Sequence, residues 1–161
     1  MFFFAWQIVL QQGVSAPRHI FVAFLAAARV NSHTRSTMIF DKLGVTEVSL
    51  RINGHQEPSE VILLNFENNH VARAYHCLMT FMGRDQNIEL DLTTLYPIYY
   101  FSLEYLDLVR QSVVDIHFRA RVVRGAIADY RAIAVILSDK SMLLEGVGGR
   151  MRVIDAPVEN M

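Results

Sequence analysis

Six histidines and a single cysteine are the residues of this 161-residue chain that first invite a chemical reading. Two histidines at i and i+4 on a helix share a face and can hold a metal. His70 and His76 are six apart and do not share one. A jelly-roll metal enzyme would need a His-x-His pair with a glutamate close behind it, and no such pair occurs. His117 falls between Asp115 and Arg119 on what reads as the wet face of a strand. A nucleophilic cysteine needs a nearby base or positive charge to lower its pKa. Cys77 sits among Leu78 and Met79 in a segment of helical period and reads as a buried structural thiol. Gly146-Val147-Gly148-Gly149 is followed by neither Lys-Ser nor Lys-Thr, so it is a hairpin tip rather than a phosphate loop. Arg119, Arg121 and Arg124 form a local basic edge, either a weak nucleic-acid-facing candidate or a solvated strand face. Arg73 could pair with Glu67 or Glu57 and fix a helix to a sheet, or could touch a neighbouring subunit. The expectation is a protein without catalysis, cofactor or metal.

Composition points the same way. The chain is 52% hydrophobic and 19% charged, against a usual charged share of about 25%. Surplus apolar surface on a folded domain marks subunit contacts. The net charge of −1 supplies no global basic field for nucleic acid. One cysteine cannot make an internal disulfide, which fits a reducing compartment. No positive charge precedes Arg18, so a signal peptide is not expected. The apolar run 20–28 is far short of the roughly 20 residues that span a bilayer, so no membrane segment is expected.

The elements that must carry these residues are mostly strands. Segments 2–10 and 19–25 are rich in aromatic and branched residues. Residues 45–53 alternate, with Val48, Leu50 and Ile52 on one face and Glu47, Ser49 and Arg51 on the other, as in a sheet with one wet face. Asn53-Gly54 supplies the positive φ angles of a tight hairpin turn. Val71, Tyr75, Leu78 and Met82 recur at helical spacing and predict one packed helix face. Asn68 or Asn69 is the expected N-cap and Gly83 the stop. Tyr75 and Phe66 are the expected anchors of this helix. Strands resume at 96–103, with Pro97 at its start, and at 112–123, where Val114, Ile116, Phe118, Ala120 and Val122 alternate with polar residues. The run 130–137 is nearly all apolar and reads as a central strand. Short strands at 142–145 and 150–154 close the chain. About eight antiparallel strands and one inserted helix (about 67–82), without strand–helix alternation, predict a mainly β fold, a single jelly-roll β-sandwich. The domain is expected to span 1–155, with a frayed tail at 156–161.

One run is specific. Ile52, Gly54, Gln56, Pro58, Phe66, Glu67, Asn68, Val71, Arg73, Ala74, Tyr75, Phe81 and Gly83 follow a pattern of strand, aliphatic-x-Gly turn, Gln and Pro, Phe-Glu-Asn, and Val-x-Arg-Ala-Tyr. With Pro17-Arg18-His19-Ile20-Phe21-Val22 upstream and Tyr100-Phe101-Ser102-Leu103 downstream, the chain resembles the double-jelly-roll major capsid (hexon) proteins of Polinton/Maverick elements and adintovirus-like DNA viruses. The middle block carries the likeness, and the flanks match in pattern only. Glu104-Tyr105-Leu106-Asp107 replaces the family's Thr-Pro-Asp segment, and the chain has room for one jelly roll, not two. The resemblance implies the C-terminal roll of a longer double-jelly-roll chain, or a retained remnant of one. It implies a structural virion protein that self-associates into a trimer or pseudo-hexameric capsomer, with a missing N-terminal roll or other capsid proteins as partners. Gly54, Pro58, Phe66, Glu67, Asn68, Arg73, Tyr75 and Gly83 would then be structural positions and subunit contacts. The implied location is the virion, or the cytoplasm or nucleus of a host. The rival from another class is a β-sandwich binding module that recognises a protein or carbohydrate through loops such as 31–36 or 83–95.

Overall fold

The computed structural model describes residues 3–26, 39–83, 97–106, 113–123, 130–139, 143–147 and 150–154. Seven antiparallel strands form two packed sheets, with one helix. In chain order they are β1 (Phe3–Ser15), β2 (Pro17–Ala26), β3 (Val45–Ile52), β4 (His55–Leu63), α1 (Ala72–Met82), β5 (Tyr99–Ser102), β6 (Val113–Val123) and β7 (Tyr130–Ser138). A further hairpin, β8 (Leu143–Val147) with β9 (Arg150–Ile154), pairs with itself. One sheet has the order β1-β6-β3-β4 and the other β5-β2-β7. The mainly β sandwich with an inserted helix is therefore what the chain forms. Among the described residues the sandwich holds seven strands rather than eight.

Alternation explains the core. Val114, Ile116, Phe118, Ala120 and Val122 on β6 are at most 1% exposed, and their odd-numbered neighbours point outward, as a period of two requires. From the facing sheet come Ile20, Val22 and Phe24 of β2, all fully buried. Phe118 meets Phe24, Tyr99 and Phe101 at ring-centroid separations of 6.0, 6.3 and 6.2 Å. Such tilted and edge-on rings lie within the favoured range for aromatic pairs. The Tyr99 hydroxyl is buried there with no hydrogen-bond partner among the described residues, and burial pushes its pKa far above the ordinary tyrosine value.

Two local devices were legible. Asn53 and Gly54 take φ of 49° and 85° between β3 and β4. The Asn53 side-chain oxygen also accepts the Asp115 N–H at 2.8 Å, which ties the turn to β6. Gly83 ends α1 at φ 62°, a conformation in which glycine carries no Cβ penalty. Ala16, at φ 44°, joins β1 in one sheet to β2 in the other.

Three expectations are corrected. The helix does not begin at Asn68 or Asn69. Asn65 and His70 bond to each other through both backbone groups, the Asn65 side chain accepts the Asn68 N–H, and α1 opens after Val71 without a side-chain cap. The packed helix face is Val71, Ala74, Leu78 and Met79, whereas Tyr75 is only half-buried and Met82 is 38% exposed. The apolar run 130–137 is not central. Among the described residues β7 pairs on one side only, with β2, and Ile133, Val135 and Leu137 are 41%, 51% and 43% exposed.

The helix decides how the sandwich is closed. It packs on β5 and β4, so it bridges the flank between those two edge strands. β1 and β7 meet at the opposite flank. No helix among the described residues is long and apolar enough to cross a membrane.

Candidate functional site

The cleft beside α1 is built by residues far apart in the chain. The helix contributes Arg73, His76, Cys77, Thr80 and Phe81, which recur at the three- and four-residue spacing of one helical face. Opposite them stand Glu57 and Pro58 of β4, Tyr100 of β5, and the turn residues Glu104 and Tyr105. Leu50, Ile62, Phe101 and Leu103 form the floor, each at most 5% exposed. The space measures about 650 Å³, within the range of small-molecule pockets.

Its polar groups are partly committed. Tyr105 donates from its hydroxyl to a Glu57 carboxylate oxygen at 3.1 Å. Burial, and then this carboxylate, push the Tyr105 phenol up to about 12. Tyr100 is also raised, chiefly by burial. The Tyr100 hydroxyl shares a 3.0 Å hydrogen bond with His19 Nδ1. His19 Nε2 lies 3.8 Å from Glu104, whose carboxylate also faces Arg18 at 3.9 Å. Arg73 turns to Glu60 at 3.3 Å, so it takes neither Glu67 nor Glu57 as its partner. Phe81 packs against His19, Phe21 and Tyr100 with centroids 4.9 to 5.0 Å away and still leaves 41% of its surface exposed.

The structure brings Pro58, Arg73 and Phe81 to this cleft and places Gly54, Phe66, Glu67, Asn68, Tyr75 and Gly83 outside it. Gly54 makes the hairpin turn. Phe66 is partly buried against the core, with the Lys42 ammonium 5.4 Å from its ring centroid. Glu67 and Asn68 are exposed in the turn before α1, Tyr75 is half-buried on the helix, and Gly83 caps it.

The basic edge is divided. Arg121 pairs with Glu47 across the β6–β3 ladder at 2.6 Å, which offsets its charge. Arg119 and Arg121 line a small space of about 160 Å³ with Glu47, Ser49 and Val61. Arg124 lies outside the described residues, as do the loop 31–36 and all of 83–95 except Gly83. His117 takes a 3.3 Å contact with the Gln7 amide on the outer face of the same sheet. Cys77 is a half-buried free thiol that lines the cleft rather than a core residue. Among the described residues no group of three or more His, Cys, Asp or Glu is placed to hold a metal ion.

Fold and cleft together define a mainly β sandwich of two antiparallel sheets, of four and three strands, with one helix closing a flank. Comparison with protein-family models, with curated proteins and with solved structures gave no match.

Proposed function

We propose that the chain is a structural subunit that self-associates into a shell, a capsid or capsomer protein of the single jelly-roll kind, and that it performs no catalysis. The observation that carries this reading is β7. β7 carries one charge, the exposed Arg131 near its start, while residues 132–138 contain neither charge nor proline, and Ile133, Val135 and Leu137 stand exposed on a strand paired on one side only among the described residues. Sheet edges in proteins that stay monomeric are guarded by lysine, proline, inward charges or a covering element. An unguarded apolar edge is a template for another chain. A head-to-tail contact that closes on itself makes a ring, as a trimer or six-sided capsomer requires. A preceding jelly roll or other capsid proteins are the further partners of such a subunit, in a virion or inside a host cell. The sheet change at Ala16 and the helix between β4 and β5 support the jelly-roll reading, and the motif positions from Gly54 to Gly83 act in it as structural supports.

Light scattering coupled to size exclusion tests the proposal. The purified chain should run as a closed trimer or hexamer, and Val135→Lys should run as a folded monomer. A wild-type chain that is monomeric at high concentration overturns it. One observation favours a second reading, a binding module: the cleft under α1.

A further inference from the structure

We propose that the cleft beside α1 is a binding site for a small organic cation with an aromatic or aliphatic body. Shape and floor select the body. The cleft offers about 650 Å³ over a floor of core side chains, with the rings of Tyr100, Phe81 and Tyr105 at its walls. Aromatic faces carry the negative side of the ring quadrupole and attract cations, ammonium groups above all.

Charge selects the head. Arg73 is turned to Glu60, and Glu104 is already shared between Arg18 and His19. Glu57 is half-buried and holds only the neutral Tyr105 hydroxyl as a hydrogen-bond donor among the described residues. A carboxylate in a partly desolvated cleft without a cation of its own favours a ligand that brings one. The site is built from α1, β4, β5, the turn after β5 and His19 of β2, the strand that separates β5 from β7, and its small-molecule test reads out whether or not the chain self-associates.

Three probes of matched shape separate the claims: phenethylammonium, phenethyl alcohol and phenylacetate, titrated into the full chain by calorimetry. Phenethylammonium should bind at least about tenfold more tightly than the other two, the difference that a charge-assisted hydrogen bond supplies. Glu57→Gln should remove that preference while leaving the apolar contribution. Equal binding of all three, a preference for phenylacetate, or no binding overturns the proposal. A second readout uses the wild-type chain alone. Cys77 is the single cysteine and lines the cleft, so saturating phenethylammonium should slow its reaction with a thiol reagent. An unchanged rate also overturns the site.

Discussion

The two flanks of the sandwich meet the same problem in opposite ways. On the β4/β5 side both edges are managed. β4 carries Glu57, Pro58 and Glu60, and α1 packs over β5 and β4. Covering that flank leaves a cleft with mixed polar and apolar walls. On the β1/β7 side, β7 presents exposed branched residues with no charge among residues 132–138. Unpaired strand edges attract other chains unless they are charged, interrupted by proline or covered. On the reading proposed above, the closed flank would hold something small, and the flank left open among the described residues would hold another protein chain. Apolar surface left on a folded domain need not be a packing defect when it is concentrated on one edge.

The comparison predicts a large cost for loosening the closed flank. Leu78, 5% exposed on the packed face of α1, should cost about 2–5 kcal/mol when replaced by alanine, read from denaturant unfolding followed by Trp6 fluorescence. Tyr75→Ala should cost clearly less, because Tyr75 is only half-buried. Equal losses would mean that the helix docks through a different face. Gly83→Ala places a Cβ at φ 62° and should cost roughly 1–2 kcal/mol; an unchanged melting midpoint would show that the helix end relaxes freely. Tyr99→Phe removes an orphaned hydroxyl from inside β5 and should gain about 1 kcal/mol, since a buried group without a partner costs that order of free energy. A loss there would reveal a partner for the hydroxyl.

On the open flank Val135→Lys should change the stability of the isolated subunit by no more than about 0.5 kcal/mol while abolishing its association. A large drop in the melting midpoint at low concentration would show that β7 is part of the core after all. The smallest effect concerns pH. Tyr105 ionises at about 12 in the folded chain against an ordinary value of 10. Its contribution is complete below pH 10 and fades as pH rises towards 12, tempered by solvent because the residue is 59% exposed. Tyr105→Phe should flatten that part of a stability profile, and an unaltered slope would remove Tyr105 from the account.

Much of the fold was readable from spacing alone. The alternation of Val114 to Val122, the Asn53-Gly54 turn and the Gly83 stop are local, because φ angles and period-two burial are set within a few residues. The start of the helix was misread because Asn68 and Asn69 are good caps in isolation. The Asn65–His70 bridge spends that segment on a turn first. The run 130–137 differs from its expectation because an unbroken apolar stretch looks the same in a buried central strand and in a strand that pairs on one side only. Sequence determined that this chain would be a β-sandwich with one helix, through the spacing of its apolar residues. Only the tertiary structure decided that β7, among the described residues, pairs with β2 alone and that Glu57, Cys77, Tyr100 and Tyr105 share one cleft. Strand order and the docking of α1 rest on contacts between residues far apart in the chain, and no local period encodes them.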